Sequence, residues 1–384
     1  MKSKILILHP SLEVGGAETQ LRYLLKEYNR AESELVLVVF SHHSTSALEF
    51  ANSVRVRAIP LTDAKSGGFL SKLNSLVKII ADECPDAVYS LLPNANLLNA
   101  LASFSACKFS VIWGMRSSKF TLSRFGLRGA VVQLMTATFS RRVDLLISNT
   151  SAGLRQSNRG LFRVRREIVI PNGIDTARFR PDCEVRRRLR IELEISPEAT
   201  AIGLIARVVS WKGYRIFLEA ARTLKAEFNH ELIFVCVGSG DVHLEQECVR
   251  FIKTQGLEDC VRWLGQRDDV HEVLSALDLL TVCSIEGEGF PNIIGEALAT
   301  NVPVVATRIG DAPRIVQNNG IIISPNCVAD LVKAWGRALE SPEVLCNLAR
   351  GARRRVISDY SVNKFATSTI REILTVITER QTHG

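Results

Sequence analysis

One glycine-rich segment carries two carboxylates at a spacing suited to a ligand site. It reads EGEGFPNIIGEAL from Glu286, so seven residues separate Glu288 from Glu296. The glycines beside Glu288 keep the loop backbone open, and a helix that begins at Pro291 or Asn292 carries Glu296 inside it. Two carboxylates at different heights around a helix start can bind hydroxyl groups at the two ends of one ligand. The phosphates of that ligand would accept hydrogen bonds from the backbone N–H groups between the carboxylates. Glu286 competes with Glu288 for this role, and a glutamate early in a helix also favours the helix dipole by itself.

A pair of cations, Arg207 and Lys212, stands just before a helical pattern at residues 214–228. Arginine offers a planar fork of donors and lysine a point charge, and a helix start adds its own positive partial charge. The pattern favours a clamp on a diphosphate. Ordinary surface charge is the alternative interpretation.

Two short glycine loops follow apolar runs and are further candidates for anion contact. They are Gly15-Gly16 and the run GSGD that begins at Gly238. Each is also consistent with a plain turn between a strand and a helix. No G-x-G-x-x-G fingerprint follows a first strand and no G-x-x-x-x-G-K-[ST] occurs, which disfavours dinucleotide reductases and P-loop enzymes.

Short apolar runs alternate with segments of helical period, and these elements must position the candidate groups. The runs are Lys4 to Leu8, Leu35 to Phe40, Ala87 to Leu91, Ser110 to Trp113, Leu145 to Ser148, Ile168 to Ile170, Ala201 to Ala206, Leu232 to Val237, Val261 to Leu264, Leu279 to Val282, Val302 to Ala306 and Ile321 to Ile323. Fully apolar strands between amphipathic helices indicate an α/β fold with parallel sheets covered on both faces. In such sheets, ligands bind beyond the carboxyl ends of the strands.

The length favours two domains, because single hydrophobic cores stop growing at about 250–300 residues and this chain has 384. The turn signal PNG at residue 171 marks the boundary. We therefore predict one doubly wound domain at 1–172 and a second at 173–361. The last helical pattern has no strand of its own, and we expect this segment, 362–384, to cross back to the first domain.

Charge is distributed unevenly along the chain. Residues 1–172 hold 22 Lys and Arg against 12 Asp and Glu (+10), whereas residues 173–384 hold 26 against 28 (−2). A basic surface attracts phosphates of any kind, so nucleic acid, an anionic membrane and a diphosphate are all compatible with charge alone. A plain solvated face is the alternative.

Cysteine usage and hydropathy bear on compartment and metals. The nine cysteines include no C-x-x-C pair, which favours reduced, mostly buried thiols over a disulfide framework or a zinc cluster. The first apolar run is too short for a signal-peptide core, and no window approaches the ~20 apolar residues of a membrane span. We expect a cytoplasmic protein without a metal site.

With its flanking motifs, the two-glutamate run resembles the retaining glycosyltransferases of the GT-B fold. These form the large group 1 or family 4-like class, which includes bacterial lipopolysaccharide, capsule and glycolipid sugar transferases. Glu288 and Glu296 match the E-x7-E signature of that family. The similarity extends through PSLEVGGAE, ISNTSAG, VIPNGIDTARFRPD, GLIARVVSWKGY and LGQRDDV, in that order. It implies two Rossmann-like domains facing a cleft, the first on the acceptor side and the second binding a nucleotide-sugar.

The resemblance also implies roles for matching residues. Arg207 and Lys212 would hold the donor diphosphate and act in catalysis with Glu288, which would hold the donor sugar, while Glu296 would bond the nucleotide ribose. Further donor contacts are implied for Gly16, Gly238, Arg267, Gly289, Phe290, Pro291, Asn292 and Ile293. The family retains anomeric configuration through same-face attack helped by the departing phosphate and needs no metal, so cations and helix dipoles must stabilise the leaving group. No cofactor is implied, and a UDP-sugar is the favoured donor.

One region departs from the family pattern. Many members carry a His after the fourth strand of the first domain, where this chain reads LLPNAN from residue 91. Asn94 or Asn96 is a candidate to replace it as a neutral hydrogen-bonding group. His9 and Arg116, at the ends of other apolar runs, are further acceptor-side candidates, although a lone histidine at a strand end is more often structural.

The basic first half offers a contact for a lipid-linked acceptor. Apolar residues are interleaved with its bases between residues 116 and 166. The apolar members are Phe125, Leu127, Val131, Val132, Leu134 and Phe139, and the bases are Arg116, Lys119, Arg124, Arg128, Arg141, Arg142, Arg155, Arg159, Arg163, Arg165 and Arg166. Such a surface can lie on an anionic membrane without spanning it. Core packing of the apolar residues with simple solvation of the arginines is the alternative.

These features predict a retaining, metal-independent glycosyltransferase that moves a sugar from a nucleotide diphosphate to a glycan or lipid-linked acceptor in cell-surface polysaccharide or glycolipid biosynthesis. We expect it in the cytoplasm, in peripheral contact with the inner face of the cell membrane, and without a nucleic acid partner. A noncatalytic nucleotide-sugar-binding protein of the same fold is one alternative. A Rossmann-type oxidoreductase is the other, disfavoured by the missing fingerprint.

Overall fold

The computed structural model describes residues 2–10, 15–28, 33–40, 45–61, 68–116, 134–157, 162–228 and 231–383. The chain divides into two compact units. Unit 1 consists of Met1–Gly173 together with Val362–Gly384, and unit 2 consists of Ile174–Ser361. The observed boundary lies beside the predicted one, and the C-terminal segment groups with unit 1.

Unit 1 is built on one parallel sheet. Its strands are β1 (Ser3–His9), β2 (Ser33–Val39), β3 (Arg57–Pro60), β4 (Ala87–Leu91), β5 (Ser110–Met115), β6 (Leu145–Ser148) and β7 (Arg166–Val169). Their order in the sheet is β3-β2-β1-β4-β5-β6-β7. The helices labelled in this unit are α1 (Gly16–Glu27), α2 (Thr45–Ser53), α3 (Phe69–Glu83), α4 (Pro93–Ala102) and α5 (Ser151–Ser157), joined by the C-terminal helix (Val362–His383). Residues 134–139 are also helical and continue into a 3-10 turn at Ser140–Arg142.

Unit 2 repeats this plan with a second parallel sheet. Its strands are β8 (Thr200–Ile205), β9 (Leu232–Val237), β10 (Val261–Trp263), β11 (Leu279–Val282), β12 (Val304–Thr307) and β13 (Gly320–Ile323), in the order β10-β9-β8-β11-β12-β13. Its helices are α6 (Cys183–Glu192), α7 (Tyr214–Glu227), α8 (Val242–Thr254), α9 (Val270–Ala276), α10 (Asn292–Ala299), α11 (Ala312–Val316), α12 (Val328–Ala338), α13 (Pro342–Ala349) and α14 (Ala352–Tyr360).

Each sheet is covered on both faces, which confirms the predicted pair of doubly wound α/β domains. In β1, Ile5 and Ile7 pack into one core cluster, whereas Leu6 and Leu8 pack into another. The division arises because successive side chains of a strand point to opposite faces of the sheet. A strand buried on both faces needs an unbroken apolar run, and this explains why sequence alone located most of the strands.

One strand escaped the sequence analysis. The apolar runs predict six strands in the first half, and the structure adds β3 at the edge of the sheet. Its residues, from Arg57 to Pro60, are partly exposed. An edge strand needs no continuous apolar run and tolerates proline, so its sequence resembles that of a loop.

Both sheets contain a point where the winding of the chain reverses. In unit 1 it lies between β1 and β4, and in unit 2 between β8 and β11. The connections leave such a point in opposite directions, so the loops at the carboxyl ends of the two strands separate and open a crevice. Gly16 and Asn94 follow β1 and β4, and Arg207, Lys212 and Glu288 follow β8 and β11.

The nine cysteines are all free thiols. Four of them are buried, while Cys84, Cys183 and Cys346 are exposed, so the expectation of mostly buried thiols is wrong. Cys84 is the C-cap of α3 and Cys183 the first residue of α6. Both of these lie at helix ends, whereas Cys346 lies within α13 with its side chain exposed to solvent.

Candidate functional site

The predicted cations and the two-glutamate run meet at the switch point of unit 2. The loop that contains Arg207 and Lys212 follows β8, and the loop that contains Glu288 follows β11, the neighbouring strand. Lys212 and Glu288 are 76 positions apart in the sequence. The pairing of β8 with β11 therefore builds the site.

Lys212 and Glu288 form an ion pair in which Lys212 Nζ donates to Glu288 Oε1. The same carboxylate oxygen accepts a hydrogen bond from the Ser284 hydroxyl at 2.6 Å. The side chain of Lys212 is 22% exposed and that of Glu288 is 12% exposed. The pair is thus accessible to a ligand but partly shielded from water, which strengthens its electrostatic interactions. Glu288, and not the exposed Glu286, is the loop carboxylate that contacts the lysine.

Close packing of the two loops fixes the position of Lys212. Its neighbour Gly213 has φ of +77°, and a Cβ at Gly213 would lie 2.1 Å from the carbonyl oxygen of Cys283. Both the backbone conformation and the available space therefore require glycine. The Cys283 thiol donates to the Gly213 carbonyl at 3.2 Å, and burial raises the pKa of this thiol to about 12, so it remains a neutral donor.

Arg207 supplies the second predicted cation. Its side chain is exposed, and the guanidinium carbon lies 5.7 Å from the centroid of the Trp211 ring, within the range of a cation–π contact. Within the described part of the chain, Arg207 has no acidic partner. The two cations therefore differ, since Lys212 is paired with a carboxylate and the charge of Arg207 is open to a ligand.

A third loop, after β12, supports the glutamate loop from its other side. Thr307 Oγ1 donates to the carbonyl of Ser284 at 2.7 Å, and the Asp311 N–H donates to the carbonyl of Gly289 at 3.0 Å. Gly310 has φ of +58° and packs so closely that a Cβ there would lie 2.4 Å from the Gly289 carbonyl oxygen. These contacts with its backbone leave the glutamate loop little freedom to move.

The helix after the glutamate loop begins where the sequence indicates. Pro291 is the N-cap and Asn292 the first residue of α10, and Asn292 and Ile293 are both partly exposed. The Phe290 side chain is buried and packs against Tyr360 with the ring centroids 5.5 Å apart. Only the backbone of Phe290 is therefore available for the donor contact that the resemblance implies.

Glu296 lies one turn inside α10 and is partly buried. Burial raises the pKa of its carboxyl to about 7, and the positive charge of Arg178 opposes this shift. Among the described residues, none donates a hydrogen bond to this carboxyl. A poorly solvated carboxyl group without a donor gains from a ligand hydroxyl, which fits the ribose contact implied by the resemblance.

Gly238 has a clear structural role at the end of β9. Its N–H donates to the carbonyl of Gly265 at 2.7 Å, and a Cβ at this position would lie 1.8 Å from the carbonyl oxygen of Ala206. The same carbonyl accepts a hydrogen bond from the Tyr214 hydroxyl at 2.6 Å. This crowding accounts for the glycine without a ligand, and a donor contact at Gly238 stays a prediction.

Arg267 is engaged by neighbouring carboxylates. Its Nε donates to Asp269 Oδ1 at 2.8 Å and its Nη1 donates to Glu192 Oε1 at 3.0 Å. Two acidic partners raise the pKa of Arg267 further above its ordinary value. A ligand would have to compete with both carboxylates, and the implied donor contact of Arg267 also stays a prediction.

In unit 1, Gly16 and His9 both lie near the switch point, but Gly16 is exposed to solvent and His9 is buried. Gly16 is exposed and is the first residue of α1. His9 is the last residue of β1 and is fully buried. Burial leaves the His9 side chain no surface for an acceptor, in line with the structural role that is usual for a histidine at a strand end.

The structure separates the two asparagines proposed to replace the missing histidine. Asn94 is exposed in the first turn of α4. Asn96 is buried; its Oδ1 accepts from the Ser90 hydroxyl at 2.8 Å and its Nδ2 donates to the Gly114 carbonyl at 3.3 Å. The amide of Asn99 completes this chain by donating to Ser90 Oγ at 3.0 Å. Asn96 is thus a structural residue, and Asn94 is the one accessible to a ligand.

Arg116 follows β5 and is bound within unit 1. Its Nη1 donates to Asn172 Oδ1 at 2.9 Å and its Nη2 donates to the Tyr89 hydroxyl at 3.3 Å. The guanidinium carbon also lies 5.2 Å from the centroid of the Phe365 ring. These contacts give Arg116 a role in packing the C-terminal helix, and acceptor binding at this residue stays a prediction.

Sequence analysis missed Ser284, Thr307 and Asp311, which position the glutamate loop. Ser284 lies four positions before Glu288 in a loop, where no periodic pattern marks it. Thr307 and Asp311 come from the next strand and its loop. The sequence signal that could have found these residues is a polar residue at the end of a strand. This signal is weak because many such residues merely cap or terminate an element.

The structure also bears on metals and membranes. Within the described ranges, no three His, Cys, Asp or Glu side chains are grouped so that they could hold a metal ion. No helix among the described residues has both the length and the apolar character to cross a bilayer. Several residues predicted to face a membrane lie outside the described residues, namely Lys119, Arg124, Phe125, Leu127, Arg128, Val131, Val132 and Arg159.

Solved structures define the fold class. Anabaena HepE in complex with UDP matches this chain with a TM-score of 0.85 and 22% sequence identity, covering 98% of this chain and 100% of that one. Two parallel-sheet units of this topology have the fold of the GT-B glycosyltransferases.

The family is shown by matches in both units. Residues 15–173 match the family described as glycosyl transferase 4-like domain, and residues 199–341 match glycosyl transferases group 1. The chain belongs to the group 1 and family 4-like glycosyltransferases.

Two curated relatives illustrate the range of the family. The D-inositol 3-phosphate glycosyltransferase of Corynebacterium jeikeium (strain K411) is 32% identical over 204 residues, which cover 50% of this chain and 48% of that protein. The N,N'-diacetylbacillosaminyl-diphospho-undecaprenol alpha-1,3-N-acetylgalactosaminyltransferase of Campylobacter jejuni is 25% identical over 291 residues, which cover 72% of this chain and 74% of that protein. The match thus spans about half the length of the first relative.

Proposed function

We propose that this chain is a retaining, metal-independent glycosyltransferase that moves a sugar from a nucleotide-diphosphate donor to a glycan or lipid-linked acceptor. The observation that carries the proposal is at the switch point of unit 2, where Lys212 pairs with Glu288 and the same loop after β8 carries the open charge of Arg207. Cations at such a crevice suit a diphosphate.

The donor side of the proposal rests on the hydrogen-bonding capacity of these groups. A lysine ammonium has three donors, so Lys212 can keep Glu288 and also bind a phosphate oxygen. The guanidinium of Arg207 can bind a phosphate through two nitrogens. The carboxyl of Glu296 offers an acceptor for a ribose hydroxyl. Since HepE was solved with UDP bound, we favour a UDP-sugar.

The reaction follows from where charge develops. The bond between sugar C1 and the phosphate oxygen breaks, the acceptor oxygen bonds to C1 on the same face, and the acceptor proton passes to the departing phosphate. Arg207 and Lys212 stabilise the negative charge that grows on the diphosphate; removing one preorganised group of this kind typically costs about 100- to 1000-fold in rate. Glu288, oriented by Ser284, accepts hydrogen bonds from the sugar and holds it for attack.

The acceptor is assigned only by chemical class. The Campylobacter relative carries a diphospho-undecaprenol acceptor in its name, which supports a lipid-linked acceptor used in cell-surface polysaccharide or glycolipid synthesis. The proposal therefore places the reaction in the cytoplasm, at the inner face of the cell membrane. Exposed Asn94, at the start of α4, is the acceptor-side group that we favour in unit 1.

The test is transfer from UDP-, GDP- and ADP-sugars to lipid-diphosphate and glycan acceptors, with and without a chelator, followed by mass spectrometry. We expect transfer from a UDP-sugar that the chelator leaves intact, and a product whose anomeric configuration matches the donor when examined by NMR. Loss of activity with chelator and its recovery with a divalent ion would contradict metal independence. Nucleotide binding without transfer across the whole panel would favour the noncatalytic alternative.

A further inference from the structure

We propose that Trp211 is a positioning residue, which holds the guanidinium of Arg207 in place for the diphosphate of the donor. Trp211 follows β8 in the same loop as Arg207 and Lys212, within a 3-10 turn at Ser210–Lys212. The inference rests on the proposed function, because that function assigns Arg207 to the diphosphate. It extends the function to a residue that touches neither the diphosphate nor the sugar.

The main chain at Arg207 is fixed by hydrogen bonds of the residues on either side. The Ala206 N–H donates to the carbonyl of Val237 at 3.0 Å, and the Val208 N–H donates to the carbonyl of Ser239 at 3.0 Å. The side chain of Arg207 is nevertheless exposed. The position of its charge therefore depends on the rotamers of a long side chain, which has many of them in water.

Trp211 is anchored through its own main chain. Its carbonyl accepts a hydrogen bond from the Ile285 N–H at 2.7 Å, and the Lys212 N–H donates to the carbonyl of Val209 at 3.0 Å. Ile285 belongs to the loop that carries Glu288, so the first of these bonds joins the two loops of the site. A tryptophan side chain has only two rotatable bonds. Its partly exposed ring is therefore stiffer than an arginine side chain.

The contact between the two side chains suits a cation that must bind an anion. The guanidinium carbon of Arg207 lies over the Trp211 ring, 5.7 Å from its centroid. A planar guanidinium can stack on the face of an indole while its N–H donors point outward along its edges. The ring carries no net charge, so it attracts the cation without neutralising it. The N–H groups stay available to phosphate oxygens.

Lys212 is positioned in a different way. Its ammonium pairs with the carboxylate of Glu288, which offsets its charge and occupies one of its donors. A carboxylate beside Arg207 would likewise weaken its attraction for a diphosphate and would compete with the phosphate for the same N–H groups. An aromatic partner restrains the guanidinium without this competition. The full charge of Arg207 is thus left to the ligand.

A direct contact of the Trp211 ring with the nucleotide or the sugar is the competing interpretation. Under that interpretation, removal of the ring weakens binding whether or not Arg207 is present. Under our proposal the effect requires Arg207, because the ring acts only through that guanidinium. A double-mutant cycle on the two residues distinguishes these interpretations.

The experiment measures the affinities for UDP and for inorganic pyrophosphate by calorimetry in the parent chain, Trp211→Leu, Arg207→Ala and the double variant. We expect Trp211→Leu to weaken both ligands about 2- to 5-fold, the range of an exposed cation–π contact, and to have no further effect once Arg207 is replaced. Trp211→Tyr keeps a ring face and should recover most of the affinity. Every variant keeps the main-chain hydrogen bond to Ile285, so we expect each to unfold at the urea concentration of the parent.

Phe251→Leu is the matched control. Phe251 lies in α8, and the guanidinium carbon of Arg215 is 5.1 Å from the centroid of its ring. Removal of this second ring should leave both affinities unchanged. The inference would be overturned by parent affinity in Trp211→Leu, by an equal loss in Phe251→Leu, or by a loss from Trp211→Leu that persists without Arg207.

The pyrophosphate arm separates this inference from the proposed function. A parent chain that binds pyrophosphate but none of UDP, GDP and ADP would overturn the proposed function, and the cycle on pyrophosphate would still test Trp211. A parent chain that binds UDP and shows no coupling between Trp211 and Arg207 would overturn only the positioning role.

Discussion

The two units share one topology but carry different chemistry at their switch points. In unit 2 the strand ends present an ion pair, Lys212 with Glu288, and a stacked cation, Arg207. In unit 1 the corresponding strands end in the buried His9 and in the neutral chain of Ser90, Asn96 and Asn99. The fold therefore supplies the crevice, and the residues at the strand ends decide which unit binds a charged ligand.

The comparison also distinguishes two uses of serine. Ser284 of unit 2 donates to a carboxylate that is accessible to a ligand. Ser90 of unit 1 donates to an amide that is buried. The first hydrogen bond positions a functional group, whereas the second holds α4 against the sheet. The predictions below test this division, from the largest expected effect to the smallest.

Removal of the lysine should have the largest effect on transfer. We expect Lys212→Ala to lower kcat/KM about 100- to 1000-fold, because it removes a cation from the diphosphate and leaves Glu288 without its partner. Transfer kinetics with a UDP-sugar measure this. Lys225→Ala is the matched control, since Lys225 pairs with Asp259 at 2.6 Å elsewhere in unit 2. Equal losses in the two variants would contradict the assignment.

A methyl group at Gly213 should disrupt the packing beneath the site. Gly213→Ala combines a left-handed backbone with the close approach of the Cys283 carbonyl, and we expect a loss of about 3 kcal/mol in the free energy of unfolding. Gly256→Ala isolates the backbone effect, because Gly256 has φ of +61° and open space around it; its loss should be about 1 kcal/mol. Urea unfolding measures the free energy of unfolding of both variants. Similar losses would show that the structure relieves the clash at Gly213, and they would contradict this prediction.

Substitution of Ser284 should affect catalysis, whereas substitution of Ser90 should affect stability. Ser284→Ala removes a hydrogen bond to a charged group, worth about 1.5–3 kcal/mol, and should lower kcat about 10- to 100-fold with little change in unfolding. Ser90→Ala leaves buried amides unsatisfied, so we expect it to lose about 1–3 kcal/mol of stability and keep its kcat. Partial recovery of kcat by Ser284→Thr would support positioning by the hydroxyl. A kcat loss in Ser90→Ala as large as that in Ser284→Ala would break the distinction.

Glu296 should make the stability of unit 2 sensitive to pH. Its pKa is raised from 4.5 to about 7 by burial, so the folded state holds the proton more tightly than the unfolded state. The resulting stability is fully present below pH 4.5 and is lost as pH rises through 7. Glu296→Gln should flatten this dependence in urea unfolding at pH 5 and pH 8.

Glu83 of unit 1 provides a contrast of opposite sign. The hydrogen bond from Arg57 lowers the pKa of Glu83. The stability that Glu83 contributes to the folded state is therefore present above the ordinary pKa of a glutamate and is lost as pH falls. Glu83→Gln should therefore reduce stability more at neutral than at acid pH. The same pH dependence in both variants would contradict the assigned causes.

The sequence by itself determined the α/β class and all but one of the strands. It could do so because a strand buried on both faces requires an unbroken apolar run. It also singled out Arg207, Lys212, Glu288 and Glu296, because two cations precede a helical pattern and two carboxylates flank a helix start in a glycine-rich segment.

Only the tertiary structure decided what those residues contact. The pairing of β8 with β11 brought Lys212 to Glu288, and packing against the β12 loop selected Ser284 as the group that orients the carboxylate. Burial distinguished Asn94 from Asn96, which are two positions apart in the same helix. The physical reason is that contact, exposure and pKa depend on distances between groups far apart in the chain, and these distances are fixed only when the sheet has formed.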